Sequence, residues 1–262
     1  MITWLANPER FVKFARPAAP IAAIITVLTF IIGIPWALVF SPEDFRQGAS
    51  VRIMYVHVPA AWMAMFVYTI IAVAGFISFV WRHVLADAAI RYAAPMGAIF
   101  TALALVTGSL WGQPMWGTWW AWDARLTSVL VLFFLYLGLI SLRGAIGNET
   151  RAARLVAIAA MVGWINVPIV KFSVDIWNSL HQSASVIRAD GPTIHASMLW
   201  PLAIMGLAYM AFFAWAMLTA LLAEVDVRRV KALDSKTGPA SRIRIETNAS
   251  PGGAFKPGAA NG

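Results

Sequence analysis

Six long apolar segments restrict this chain to folds that a lipid bilayer can hold. A helix needs about 20 apolar residues to cross roughly 30 Å of hydrocarbon. Segments of about this length lie at residues 18–40, 57–81, 93–111, 127–142, 155–174 and 199–222. With 60% hydrophobic and 12% charged residues, the composition is typical of an integral membrane protein. The sequence therefore predicts an all-α integral membrane protein with six transmembrane helices.

The distribution of Lys and Arg predicts the orientation of these helices. The N-terminus, the second and fourth loops and the C-terminal tail together carry 15 of these residues, whereas the other three loops carry 5. The positive-inside rule then places both termini in the cytoplasm. The net charge of +8 is explained by topology, so it does not indicate nucleic-acid binding. Because the first apolar run exceeds 20 residues, we interpret it as a retained helix rather than a signal peptide.

Composition divides the chain into three parts. Residues 1–17 are predicted to be a cytoplasmic N-terminal segment, and residues 18–222 a six-helix membrane domain. Residues 223–262 begin as a charged stretch and become rich in Gly, Pro, Ala, Ser and Asn. Such a composition cannot bury a core, so we expect a disordered cytoplasmic tail.

A run of tryptophans lies between the third and fourth apolar segments. Five of the chain's thirteen tryptophans fall within twelve residues there, at Trp111, Trp116, Trp119, Trp120 and Trp122. Single tryptophans are expected at membrane edges, but five together exceed an anchoring belt. With Gly and Pro between them to interrupt a helix, they predict an outer loop that forms a flat aromatic platform for a large planar ligand.

Two histidines at the ends of apolar segments accompany this loop. His57 lies near the start of the second segment, where Pro59 suits a first helical turn, and His181 follows the fifth. If residues 177–181 are helical, Trp177 and His181 share a face. Each histidine alone is more simply a structural residue bonded to a carbonyl. As a pair on separate segments they suit axial haem ligation, for which His195 is a competitor on the same side.

Charged residues near the aromatic loop suit an anionic ligand. Arg52 and Arg125 have the two-pronged donor geometry that matches the propionates of haem, although headgroup or surface ion pairs would explain them equally well. Asp123 is most simply the N-cap of the fourth helix; it could also pair with Arg125 or accept from a tryptophan. We expect Lys171 to lie near the outer interface, where its side chain can snorkel.

Several kinds of chemistry are excluded by residues that the sequence lacks. It contains no cysteine, so disulfides, thiolate metal ligands and Cys-x-x-Cys-His haem attachment do not occur within it. A Gly-Lys dipeptide is missing, so the chain has no Walker A loop for ATP hydrolysis. His-Glu-x-x-His and Gly-x-Ser-x-Gly motifs are missing as well.

Three motifs resemble one known family, the CcmC-type haem exporter protein C of cytochrome c maturation. The Trp111–Ser128 block is similar to the tryptophan-rich, Asp-containing loop of that family. Residues Arg52–Met63 and Trp177–Gln182 resemble its two outer histidine motifs. The resemblance covers about residues 20–222 and agrees with six helices.

The resemblance implies a role for each candidate residue. His57 and His181 would be the axial ligands of haem b, which is held without a covalent bond and handled as cargo. The loop tryptophans and Asp123 would contact the macrocycle, and Arg52 and Arg125 would face the propionates. His195 has no counterpart in the family motif.

The same resemblance implies partners and a location. The protein would present haem at the outer face of the bacterial inner membrane to a membrane-anchored haem chaperone. It would work with the ATP-binding and membrane subunits of an ABC-type complex and with a small single-helix subunit, and it would not itself be an enzyme. The alternatives are an intramembrane haem enzyme, such as a quinol-linked cytochrome, and a transporter of free haem.

Overall fold

The computed structural model describes residues 7–177, 179–181, 185–186 and 188–236. In this part of the chain a π-helical turn, Trp36–Phe40, extends the first α-helix, and a 3-10 turn, Ala49–Ile53, precedes the second. The α-helices are α1 (Pro8–Pro35), α2 (Met54–Trp81), α3 (Val84–Trp116), α4 (Ala124–Ala145), α5 (Glu149–Gly163), α6 (Asn166–Ile176) and α7 (Ala196–Lys236).

Six of the described segments are long and apolar enough to cross a membrane, which confirms the predicted fold class. They are Pro8–Phe40, Ala49–Trp81, Val84–Trp116, Ala124–Ala145, Glu149–Ile176 and Ala196–Ser235. In the second segment, half of the most apolar stretch is buried inside the protein, whereas in the first segment only 17% of that stretch is buried. Helix α2 is therefore central to the bundle, whereas α1 exposes most of its apolar surface to the surroundings.

Helix α3 is much longer than the apolar segment that predicted it. It begins after His83, whose Nδ1 accepts the Ala86 N–H at 3.2 Å as an N-cap. It ends before Gly117, which takes a left-handed conformation with φ of 73°, as is common at helix C-termini. Trp111 and Trp116 thus belong to the helix, and the prediction that Gly and Pro interrupt it there was wrong. Membrane helices tolerate both residues where neighbouring groups satisfy the backbone.

The fifth membrane segment is broken into α5 and α6. Two turn residues, Trp164 and Ile165, separate the helices. Pro168 then lies in the first turn of α6, where its missing N–H costs little. The Trp164 indole donates to the Thr69 hydroxyl at 3.1 Å, which ties the break to α2.

An ion-pair cluster joins α3, α4 and α5 at the end of the bundle where α3 begins and α4 is connected to α5. Arg143 donates two hydrogen bonds of 2.7 Å to the Asp87 carboxylate and a third of 3.2 Å to Glu149. Asp87 and Arg143 are each only 13% exposed at the side chain. Removing one partner of a pair this buried costs several kcal/mol. The pair therefore fixes the register of the three helix ends.

The chain divides into two compact units, Met1–Leu222 and Ala223–Gly262. In the second unit, Arg228 donates to Glu224 at 2.7 Å, and the helix continues as far as Lys236. The first part of the predicted disordered tail is therefore helical. Residues 237–262 lie outside the described residues, and the three-part division of the chain stays a prediction.

Candidate functional site

A cavity of about 540 Å³ lies inside the first unit, in the size range of pockets for organic ligands. Residues of α2, α3, α4 and α6 form its wall, together with the segment that follows α6 and Leu202 of α7. Both predicted haem ligands, His57 and His181, line it. The structure thus brings together two histidines that are far apart in sequence.

His57 lies in the first turns of α2 and is held by α3. Its Nδ1 lies 3.0 Å from the Ala104 carbonyl and 3.1 Å from the Thr107 hydroxyl. A carbonyl can only accept, and Thr107 donates its own proton to Leu103 at 2.6 Å. Nδ1 must therefore carry the proton, which leaves the Nε2 lone pair of a neutral imidazole free. The carbonyl bond expected of a structural histidine is present, and it leaves Nε2 available as a donor atom.

Three small residues on one face of α3 make room for this arrangement. Ala104, Gly108 and Gly112 are spaced four residues apart and so share a face. A Cβ atom on Gly108 would approach His57 Cε1 to 2.9 Å, and one on Gly112 would approach Trp116 Cε3 to 2.9 Å. The two glycines thus accommodate two cavity side chains that a larger residue would displace.

His181 is held by Asp123, although 58 residues separate them. Its Nδ1 lies 3.1 Å from the Asp123 carboxylate. The same carboxylate accepts the Ser179 hydroxyl and, at 3.2 Å, the Leu180 N–H. Asp123 is also the N-cap of α4, as predicted, accepting the Leu126 N–H at 2.7 Å. One carboxyl group therefore both starts α4 and orients His181.

The protonation states of this pair suit metal binding. Burial lowers the pKa of His181 and outweighs the opposing effect of Asp123. Burial raises the pKa of Asp123, but hydrogen bonds from Leu126, Ser179 and His181 together leave it lower than usual. At pH 7 the contact is consequently a hydrogen bond from a neutral imidazole to a carboxylate. Its Nδ1 carries the proton, so Nε2 of His181 is free to bind a metal.

The tryptophan run divides into two sets. Trp111 and Trp116, here called the cavity tryptophans, line the cavity. Each packs edge-on against one histidine, Trp111 on His57 at 5.7 Å and Trp116 on His181 at 4.9 Å between ring centroids. The Trp111 indole also donates to Gln47 at 2.9 Å, which ties α3 to the segment before α2.

The remaining tryptophans lie on the short loop between α3 and α4. Trp119 and Trp122, here called the exposed tryptophans, are 59% and 78% exposed. The rings of Trp120 and Trp122 are nearly perpendicular, at 79°, so these two do not form the flat platform expected from the sequence. The loop is fastened to α3 by the Ser109 hydroxyl, which donates to the Trp119 carbonyl at 2.6 Å.

The predicted propionate partners lie in different places. Arg125 lines the cavity, and its Nε donates to Ser173 at 3.2 Å. Arg52 is not among the lining residues, and its guanidinium donates to the Ser41 carbonyl at 3.1 Å. Lys171 and Asp175, neither of which was assigned to the site from the sequence, also line the cavity.

The other histidines lie away from the cavity lining. His195 is exposed, and its Nδ1 lies 2.8 Å from the Ser197 hydroxyl at the start of α7. His83 caps α3 at the opposite end of the bundle. The helical arrangement considered for Trp177 and His181 was wrong, because α6 ends at Ile176 and Trp177 is extended.

Sequence reasoning missed the residues that hold the site together. The Asp123–His181 bond spans 58 residues, and the Trp111–Gln47 bond spans 64. No local sequence pattern can therefore predict either bond. The small-residue spacing of Gly108 and Gly112 was readable as a close-approach motif of membrane helices. A charged residue in an apolar helix, such as Lys171, is likewise a recognisable functional signal.

Comparison with known proteins connects this site to one family. The family model described as heme exporter protein C matches residues 1–236. Heme exporter protein C of Bradyrhizobium diazoefficiens is 51% identical over 229 residues, covering 87% of each chain. That of Escherichia coli K12 is 41% identical over 236 residues, covering 90% of this chain and 92% of the relative. A putative cytochrome c biosynthesis ccmC-like mitochondrial protein of Marchantia polymorpha is 39% identical, covering 84% of this chain and 95% of the relative. The chain therefore belongs to the heme exporter protein C family.

Proposed function

We propose that this protein binds haem in the cavity and presents it for cytochrome c maturation. The observation that carries the proposal is the pair His57 and His181. Both line one cavity, and both have the Nδ1 proton engaged. Their Nε2 atoms are the axial ligands in this proposal, and the cargo is haem b held without a covalent bond. Two imidazoles from separate segments can supply both axial ligands of six-coordinate haem iron.

Apolar and cationic groups of the wall suit the rest of the macrocycle. The cavity tryptophans supply apolar aromatic surface beside each histidine. Arg125 supplies a guanidinium for a propionate. Trp119, Trp120 and Trp122 border the site on the adjoining loop, and in this proposal they contact the exposed edge of the haem.

The exposed tryptophans also suit delivery to a partner. Exposed apolar patches mark interaction surfaces, and these two tryptophans lie on the loop that ends at Asp123, which holds a proposed iron ligand. The proposed receiver is a membrane-anchored haem chaperone at the outer, periplasmic face of the inner membrane. ATP-binding and membrane subunits of an ABC-type complex and a small single-helix subunit complete the assembly. The chain itself is a membrane component of haem delivery and not an enzyme.

The alternative of a quinol-linked cytochrome receives less support from the described residues. Such a protein typically places histidine pairs towards both sides of the membrane. Here His83, at the opposite end of the bundle, uses Nδ1 to cap α3. Of the two cavity histidines, His57 lies in the first turns of α2 and His181 on the segment that follows α6.

The experiment that tests the proposal is the absorption spectrum of purified protein with haem. The unmodified protein should give a six-coordinate low-spin spectrum. His57→Ala and His181→Ala should each remove it, whereas His195→Ala is the matched control and should retain it. A normal low-spin spectrum in His181→Ala would refute the ligand assignment.

A further inference from the structure

Helix α6 carries two charged residues in a segment otherwise suited to the membrane. Its eleven residues include Lys171 and Asp175, one turn apart. Both line the cavity, together with Val170 and Val174, so they form one stripe of the helix. Lys171 lies five residues before the end of the membrane segment Glu149–Ile176. Charged residues within such segments are rare, and they commonly mark a functional site.

Lys171 is an exposed residue of the cavity wall. Neither a hydrogen bond nor an ion pair to it is found within the described part of the chain. Asp175 lies on the following turn, and the order Lys then Asp is the less favourable one for a helical pair. Arg52 differs from Lys171 in two ways. It donates a hydrogen bond to Ser41, and it does not line the cavity.

The charges of the lining show what Lys171 contributes. Among the described lining residues the charged groups are Arg125, Lys171 and Asp175, which give a net charge of +1 while His181 is neutral. Without Lys171 the net charge of the wall would be zero. A cargo with two carboxylates would then meet a wall with no excess of positive charge.

We propose that the Lys171 ammonium binds a propionate carboxylate of the haem, with Arg125 as the second cation and Arg52 outside this contact. The inference rests on the haem-binding function proposed above. Lys171 would select for a macrocycle whose carboxylates face α6, and so would fix which edge of the haem faces the exposed loop. If Lys171 merely reaches lipid headgroups, its loss would affect every macrocycle equally.

The test compares haem with haem dimethyl ester, which has the same ring and iron but no free carboxylates. Affinities are measured by spectroscopic titration of the purified protein and of Lys171→Met, Lys171→Arg and Arg52→Met. Lys171→Met should weaken haem binding by about 10- to 100-fold, the range for a hydrogen bond to a charged group. It should leave binding of the ester within a few-fold. Lys171→Arg should restore most of the preference for haem, and Arg52→Met should keep it.

The outcomes separate this inference from the function on which it rests. If the unmodified protein forms no low-spin complex with either macrocycle, the proposed function fails. If it does, and Lys171→Met keeps the full preference for haem over its ester, the assignment of Lys171 is wrong while the function stands. Loss of the preference in Arg52→Met but not in Lys171→Met would likewise overturn the assignment.

Discussion

Gly108→Ala is a one-carbon change that should disable one proposed iron ligand without unfolding the protein. The added Cβ would lie 2.9 Å from His57 Cε1, whereas ordinary contacts begin near 3.4 Å. The ring must therefore move by about 0.5 Å, the tolerance within which binding groups must be held. Movement away from α3 would stretch the 3.0 Å bond from Nδ1 to the Ala104 carbonyl beyond the usual limit of about 3.2 Å.

The expected cost in stability is small. Overpacking of this kind destabilises a protein by about 1–3 kcal/mol. Replacing Gly by Ala in a helix stabilises the helix by about 0.8–1.0 kcal/mol. The net loss of about 0–2 kcal/mol should leave the protein folded and present in the membrane. Haem, in contrast, should lose the His57 ligand, since the ring and its tautomer are no longer fixed.

The assay is the haem absorption spectrum, read together with haem content per mole of purified protein. Gly138→Ala is the matched control, because it adds the same carbon to a helix at a position with nothing within 4 Å. We expect a low-spin spectrum in the control and a large high-spin fraction in Gly108→Ala. Identical spectra in the two variants would refute the argument that Gly108 positions His57.

Three further predictions concern Asp123, the tryptophans and the membrane topology. Asp123→Asn keeps the N-cap but gives His181 a neutral hydrogen-bond acceptor. The reduction potential of bound haem should therefore rise by about 60 mV, which is a tenfold change in the equilibrium constant for one electron. An unchanged potential would contradict the role of the carboxylate. Replacing the cavity tryptophans by leucine should lower haem content, whereas replacing the exposed tryptophans should mainly lower transfer to the chaperone; equal haem loss from both would argue against the division. Topology reporters should be cytoplasmic after Ala145 and Gly238 and external after Gly48 and Gly117, and one reversed site would overturn the orientation.

The fold was largely predictable because hydropathy reports a property of each segment by itself. Segment length and apolar content identify the six membrane segments, but not the ends of the helices. Helix α3 extends from Val84 to Trp116, beyond the predicted 93–111, because a side-chain cap and a left-handed glycine define its ends. The break between α5 and α6 was missed, since the turn residues Trp164 and Ile165 lie in the middle of an apolar run. Pro168 lies in the first turn of the helix that follows.

The site was predictable in its composition but not in its connections. The two histidines and the tryptophan run stand out by residue type alone, and the structure gathers His57, His181, Trp111 and Trp116 at one cavity. The division of the tryptophans into two sets depends on where α3 ends, which the sequence pattern did not locate. The partnership of Asp123 with His181 depends on tertiary packing of two loops.

The separation of 124 positions between His57 and His181 has a consequence during biosynthesis. A ribosome adds about 5–20 residues per second, so roughly 6–25 s separate the emergence of the two histidines. Throughout that interval the nascent chain contains His57, and later also Trp111, but it lacks His181. A haem molecule that arrives early would find at most one ligand, and its iron would remain open to oxygen. Under the proposed ligation, loading with both ligands would wait until the residues that follow the fifth membrane segment have been made. Haem acquisition would then come after the first four segments have been synthesised.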